Sequence, residues 1–130
     1  MARRLVEAFN SRDREALFAL MSPGAVMRTD PDWPGGGEFR GRAEMETFLD
    51  QFEDSWGSIT YETVGEPQEV AGALLWPSRW AAQGKSSGIE TKMDFWGVFT
   101  FVDGVFAQMD FFFSRDDAVE HARSLAPAAE

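Results

Sequence analysis

The sequence predicts an α+β fold in which a curved antiparallel sheet wraps around helices and forms a cone-shaped barrel with an apolar pocket. Apolar residues follow helical spacing up to residue 56, and alternation dominates from residue 58 to residue 113. Consecutive strands after a block of helices are typical of α+β proteins. Twelve phenylalanines and five tryptophans among 130 residues supply large rings for the interior. We expect one domain over residues 1–126 and a frayed tail at 127–130.

Three helices are predicted before the sheet. The first lies within residues 3–10 and carries its apolar side chains on one face. Asp13 is a candidate N-cap for a second, short helix, which Ser-Pro-Gly at 22–24 should end. The strongest helical pattern covers residues 42–56. Its apolar residues follow the spacing i, i+3, i+4, i+7 and i+11, at Met45, Phe48, Leu49, Phe52 and Trp56.

Alternating residues predict one short strand and then four antiparallel strands. The expected ranges are 25–29, 59–64, 68–83, 89–102 and 105–113. Pro77 lies inside a strand, so we expect a bulge or a sheet edge at that point. Asp103-Gly104 predicts a two-residue hairpin, because both central residues of that turn take positive φ. Ser114 and Asp117 resemble a capping box at the start of a last helix, 115–125.

Charge and composition exclude several classes of function. Formal net charge is −10, from 22 acidic and 12 basic residues. A negative surface repels phosphate groups, so we expect no nucleic acid and no membrane among the partners. There is no cysteine and one histidine, His121, so no metal site is expected. No glycine-rich phosphate loop is present, and no cofactor is expected. The N-terminal apolar run is too short for a signal peptide, which indicates a cytoplasmic protein.

The order of elements and three local stretches resemble the SnoaL-like branch of the nuclear-transport-factor-2-like superfamily. The stretches are FNSRDREALFALMSPGAV (9–26), DWPGGGEFRGRAEMETFLDQF (32–52) and the run from GIETKMDFWGVFTFVDG to DFFFSRDDAVEHA (88–122). That superfamily includes ketosteroid isomerases, polyketide cyclases, epoxide hydrolases and many small proteins without an assigned activity. A fold with so many uses does not determine one function.

The resemblance implies one candidate catalytic residue. Asp30, followed by Pro31, matches the general base of the isomerases, allowing for one inserted residue. The two oxyanion-binding positions of those enzymes fall at about Leu5 and Gly97, which supply no hydrogen-bond donor side chain. Ketosteroid isomerisation is therefore not expected, because enolisation would lose its largest stabilising contribution. The alternative for Asp30 is a turn residue, since aspartate before proline initiates turns.

Epoxide hydrolases of this fold bracket an arginine with two aspartates, for which Asp94, Asp110 and Arg79 are the candidates. Alternation places both aspartates on the face of the sheet opposite Phe95 and Phe111, so we expect them outside the cavity. Polyketide cyclases use an acid near the pocket floor, and Asp30 or Asp110 is available for that role.

Large apolar side chains are predicted to line the pocket, with the first two of them at its mouth. The set is Trp33, Phe39, Phe52, Trp56, Tyr61, Trp76, Trp80, Met93, Phe95, Phe99, Phe111 and Phe113. An alternative for the mouth residues is a plug that merely completes the core. Trp96 and Phe112 point to the other face and predict a homodimer interface, which the resemblance implies as well.

Three functions stay open at this point. One is a cofactor-independent enzyme that holds a small hydrophobic substrate in the cone and uses Asp30 as an acid or base. Another is a non-catalytic protein that binds a hydrophobic ligand in the same pocket. A third is a dimeric interaction module whose core is filled.

Overall fold

The computed structural model describes residues 2–33, 36–84 and 88–125, with the backbone alone described at residues 2 and 55–58. The predicted tail at 127–130 lies outside these residues. Within them the chain forms four helices and seven strands. The helices are α1 (Ala2–Asn10), α2 (Arg14–Ala19), α3 (Gly41–Ser55) and α4 (Arg115–Leu125). The strands are β1 (Met21–Arg28), β2 (Glu38–Arg40), β3 (Trp56–Thr63), β4 (Gln68–Val70), β5 (Ala73–Gly84), β6 (Glu90–Val102) and β7 (Val105–Phe112).

The strands form one curved sheet in the order β2-β1-β7-β6-β5-β3, with β4 paired to β5. The α+β prediction is confirmed. The sheet is mixed rather than purely antiparallel, because β1 runs parallel to β7 with Val26 opposite Gln108. Strand β1 also begins at Met21, earlier than predicted, and runs through Pro23-Gly24 with a break in register. The sequence pattern assigned this proline to a turn. In the structure it lies in the irregular first part of β1, where a strand tolerates proline.

Local signals place most of the turns and caps correctly. Asp13 caps α2 by accepting the backbone N–H of Ala16 at 3.1 Å. Asp103 and Gly104 have φ of 50° and 82°, as the two-residue hairpin requires. Pro77 pairs in register with β6, but it lies where β3 has ended and β4 has not begun. The missing N–H of the proline therefore falls at a local edge of the sheet.

The two faces of the sheet pack against different helices. The inner face and helices α1–α3 enclose the larger core, which contains rings from β3, β5, β6 and β7. The outer face is covered by α4, whose Ala118 and Ala122 pack on Leu75 and Val98. Across the described residues, no helix has the length and apolar character needed to span a membrane.

Candidate functional site

Asp30 lies two residues beyond β1, where the loop to β2 begins. Its Oδ1 accepts the backbone N–H of Asp32 at 3.0 Å, and its Oδ2 accepts that of Phe113 at 3.2 Å. Its carbonyl oxygen accepts the N–H of Trp33 at 2.9 Å. The first contact is an Asx turn, and the second ties the loop to the end of β7. Asp30 thus fixes the direction in which the loop carries Trp33.

Trp33 fills the lip of the cone. Only 3% of its surface is exposed. Its ring stacks on Phe111 and Phe113, with centroids 5.6 Å apart in both cases, and meets Trp80 and Phe95 edge-on at 5.0 Å. Such stacked and edge-to-face contacts add to the free energy of burial. In this structure Trp33 therefore packs as a core side chain at the place where a pocket mouth was predicted.

Tyr61 and Ser78 form a buried polar pair on the inner face. The hydroxyl oxygens are 2.8 Å apart. The hydroxyl of Ser78 donates to the carbonyl oxygen of Trp76 at 3.2 Å, so Tyr61 is the donor in the pair. Burial raises the pKa of Tyr61 well above its usual value of 10, while the hydrogen bond with Ser78 acts in the opposite direction. The tyrosine hydroxyl is thus neutral and already partnered.

A hollow lies on the helix side of the cone. We call this space, of about 290 Å³, the helix-side cavity. Its walls combine three aromatic rings with aliphatic side chains from α1, α2, α3 and β3, and three charged residues lie at its mouth. The lining residues are Ala8, Phe9, Arg12, Arg14, Leu17, Leu49, Phe52, Glu53, Ile59 and Trp80. Its size and its mixture of apolar wall and few polar groups are typical of a small-molecule site.

Ion pairs hold the mouth of the helix-side cavity together. Arg14 Nη2 lies 2.9 Å from Glu53 Oε2 and 2.8 Å from Asp50 Oδ1, which joins α2 to α3. Arg12 Nη1 lies 3.2 Å from Glu53 Oε1. The hydrogen bonds to Glu53 and Asp50 raise the pKa of Arg14. Each charged side chain that lines the cavity is therefore already paired.

A smaller cavity of about 50 Å³ lies deeper in the cone, and we call it the deep cavity. Its lining is apolar apart from the partnered Tyr61 and includes Phe99, Met109 and Phe111 from the sheet. Trp80, Phe9, Leu17 and Leu49 line both cavities. The ring of Trp80 therefore forms a wall shared by the two spaces.

The predicted outer-face residues do lie away from both cavities. Asp94 is exposed and pairs with Arg79 at 2.5 Å. Hydrogen bonding to Arg79 lowers the pKa of Asp94. Asp110 is buried beneath α4, where its Oδ2 lies 2.8 Å from Nε2 of His121. The expectation that both aspartates point away from the cone interior agrees with these positions.

Asp110 is the centre of a polar cluster that the sequence did not predict. Gln108 Nε2 donates to Asp110 Oδ2 at 3.0 Å. Arg28 Nε lies 2.9 Å from Asp110 Oδ1, although its N–H is not directed for a hydrogen bond. Because α4 brings His121 over the sheet, the single histidine gains a partner that its position in the sequence does not reveal.

The predicted pocket residues divide between core and cavity wall. Trp33, Tyr61, Trp76, Trp80, Phe95, Phe99 and Phe111 are buried in one cluster. Phe39, Phe52, Met93 and Phe113 are half-buried against it. The side chain of Trp56 lies outside the described part of the chain. Of the whole set, Phe52 and Trp80 line the helix-side cavity, and Asp30 lines neither cavity.

Sequence reasoning missed the helix side of this site. Phe9 and Leu49 belong to apolar helical faces and were visible as inward-facing residues, but periodicity alone does not show whether such a face meets a solid core or a hollow. Arg12 and Arg14 flank the α2 cap, and no motif in the sequence indicated that they line a cavity. As for metals, no three acidic or histidine side chains among the described residues are placed to hold an ion together.

Comparison with known proteins identifies the family. The model of the SnoaL-like domain matches residues 2–109. The chain belongs to the SnoaL-like domain family. A search of the curated proteins found no match.

Solved structures with a similar fold cover almost the whole chain. TerC, co-crystallised with polyporic acid, is 19% identical over 93% of this chain and 94% of its own, with a TM-score of 0.76. A ketosteroid isomerase-like protein from Catenulispora acidiphila, in complex with trimethylamine, is 10% identical over 98% and 93%, with a TM-score of 0.74. A putative polyketide cyclase from Sinorhizobium meliloti is 15% identical over 85% and 91%, with a TM-score of 0.67. At such identities the likeness establishes the fold alone.

Proposed function

We propose that this SnoaL-like chain binds a small apolar molecule in the helix-side cavity. The observation that carries the proposal is the hollow of about 290 Å³ walled by Phe9, Phe52 and Trp80. Ligand pockets usually measure roughly 300–1,000 Å³, so this cavity suits a small ligand. TerC with polyporic acid and the Catenulispora protein with trimethylamine support a ligand-binding role for this kind of fold.

Filling the cavity tests the proposal. Leu49 lines both cavities from α3, and a tryptophan there would occupy part of the space. We expect Leu49→Trp to weaken binding of acetylnaphthalene, measured by isothermal titration, by roughly tenfold or more. The control is Val64→Trp, because Val64 is an exposed loop residue. Equal binding by the wild type and both variants would contradict the proposal.

A second candidate is an enzyme in which Asp30 transfers a proton to or from the substrate. The observation that favours it is the placement of a fixed carboxylate at the lip, beside Trp33. A putative polyketide cyclase with a similar fold agrees with this candidate. Against it, both carboxylate oxygens accept backbone N–H groups, and Asp30 lines neither cavity. We therefore rank acid–base catalysis below binding.

Proton exchange separates the two candidates. If Asp30 is a base, it takes a proton from the methyl group of bound acetylnaphthalene, and the enolate then takes up a deuteron from heavy water. We expect no accelerated loss of the methyl signal in proton NMR, because the carboxylate is committed to the loop. Acceleration that disappears in Asp30→Asn but persists in Asp32→Asn would establish the enzyme instead.

Homodimerisation through the outer face is part of the same proposal. Trp96 and Phe112 are half-buried against α4, and the guanidinium of Arg115 lies over the Trp96 ring. Because α4 already packs on this face, the area left for a partner is smaller than that of an uncovered sheet. Sedimentation velocity over a range of concentrations checks the dimer, and a monomer at every concentration would contradict it.

A further inference from the structure

Four side chains stand between the helix-side cavity and the deep cavity. Each of them comes from a different element and lines both spaces: Phe9 from α1, Leu17 from α2, Leu49 from α3 and Trp80 from β5. We call this set the partition. It lies where three helices meet the inner face of the sheet, so its position is set by the packing of the whole cone.

Close contacts hold the partition in place. The ring of Trp80 stacks on Phe9 at 5.5 Å, and Phe52 meets it edge-on at 4.6 Å. Leu17 is only 6% exposed, and its backbone N–H donates to the carbonyl oxygen of Asp13 at 3.0 Å. Side chains packed in this way do not move aside without a cost in free energy. A molecule that enters the helix-side cavity therefore meets a wall before it reaches the deep cavity.

Polarity falls from the mouth of the helix-side cavity toward the partition. Arg12, Arg14 and Glu53 lie at the mouth, whereas the partition is entirely apolar. A ligand with a polar end at the mouth and an aliphatic chain directed inward matches this order. Both arginines are paired with Glu53, so an ionised end would have to compete with an existing ion pair. A neutral polar end leaves these pairs intact.

We infer that the helix-side cavity takes a neutral molecule with an unbranched aliphatic chain, and that the partition sets the longest chain it accepts. Leu17 and Leu49, the aliphatic members of the partition, are then the residues that determine specificity for chain length. This inference rests on the proposed binding function and names the class of its ligand. The competing explanation is that the partition yields, so that a long chain passes into the deep cavity of the wild type. In that case the far wall of the deep cavity would limit the length instead.

A series of primary, unbranched alkanols from pentanol to decanol tests the length limit. Each added methylene that becomes buried should tighten binding to the wild type by about fourfold, measured by isothermal titration. The gain should stop at the alkanol whose chain reaches the partition, and we call that length the limit.

Leu17→Ala opens the partition from α2. The space left by the leucine side chain should admit a longer chain, so the limit should move to a longer alkanol. We expect the first alkanol beyond the wild-type limit to bind to Leu17→Ala roughly tenfold more tightly than to the wild type.

Leu5→Ala is the matched control. Leu5 is also 6% exposed, but it lines the deep cavity and not the helix-side cavity. Removing its side chain adds space only beyond the partition, so the wild-type limit should survive in Leu5→Ala. An unchanged limit in Leu17→Ala, or an equal gain in Leu5→Ala, would overturn the inference and leave the binding function standing.

A second variant keeps the inference testable if Leu17→Ala does not fold. Leu49 is half-buried, so Leu49→Ala opens the partition from α3 with a smaller loss of packing. The limit should again move to a longer alkanol, and an unchanged limit would overturn the inference. Failure of the wild type to bind any of the alkanols would also overturn it. If acetylnaphthalene fails to bind as well, the binding function falls together with the inference.

Discussion

The lip of the cone and its helix side contain the same kinds of side chain, but one is solid and the other is hollow. At the lip, Trp33 makes close contacts with four other aromatic rings. On the helix side, Phe9, Phe52 and Trp80 surround a space of about 290 Å³. A large number of aromatic residues therefore does not by itself indicate a cavity.

The two regions differ in packing because different parts of the chain close them. A loop fixed by Asp30 inserts the ring of Trp33 into the lip, and this ring fills the space between its neighbours. On the helix side, α2 and α3 are joined across the opening by ion pairs from Arg14. Long charged side chains bridge a gap without filling it, so space remains beneath them.

The largest expected effect on stability comes from removing the Trp33 side chain from the lip. Trp33→Ala removes a buried indole from between four rings, and we expect a loss of about 3–5 kcal/mol in the free energy of unfolding. Leu49→Ala, on the wall of the hollow region, should cost only about 1 kcal/mol, because its side chain is half-buried. Urea denaturation measures both. Similar losses for the two variants would mean that the regions do not differ in packing.

A smaller effect should follow from adding one carbon to the inner face of the sheet, beside the deep cavity. A Cβ on Gly97 would lie 2.5 Å from Cε2 of Phe99, so this fully buried ring has to move. We expect Gly97→Ala to lower the free energy of unfolding by about 1–3 kcal/mol. Gly24→Ala is the control, since a Cβ on Gly24 would have nothing within 4 Å. A neutral Gly97→Ala would show that the Phe99 ring moves into the deep cavity without cost.

The smallest effect on stability at neutral pH is expected from the ionisation of Tyr61, which borders the deep cavity. Burial raises the pKa of Tyr61 in the folded chain, so the unfolded chain releases the proton first. Stability should therefore fall as pH rises above about 10 and continue to fall toward the folded pKa. Tyr61 is the only tyrosine, so tyrosinate absorbance reports on it alone. The absorbance should appear together with unfolding, followed by circular dichroism.

Tyr61→Phe is the control for this titration and should lose that part of the alkaline destabilisation. Tyrosinate that forms before any unfolding would show that solvent reaches the hydroxyl through the cavities.

Local signals in the sequence predicted much of the fold. The Asp103-Gly104 turn and the Asp13 cap depend on neighbouring residues only, and both are present. Alternation also predicted which residues of β6 and β7 face the cone, including the outward direction of Asp94 and Asp110. These features follow from the geometry of a strand or a turn, which a short window of sequence contains.

The site was harder to predict because it depends on distances between elements. The parallel pairing of β1 with β7 joins residues about eighty positions apart, and no local pattern encodes it. The same pairing brings Phe113 to Asp30, and α4 brings His121 to Asp110. A role of Asp30 as a general acid or base stays a prediction. The residue matches a catalytic position of the family, and in the structure it also holds the loop.

The parallel pairing of β1 with β7 also bears on how the chain folds as it is synthesised. β1 precedes its central neighbour in the sheet, which ends only at Phe112. A nascent chain therefore carries β1 with the edge that faces β7 uncovered until β7 has been made. High sequence separation of this kind slows folding, and the uncovered edge of β1 leaves intermediates open to aggregation.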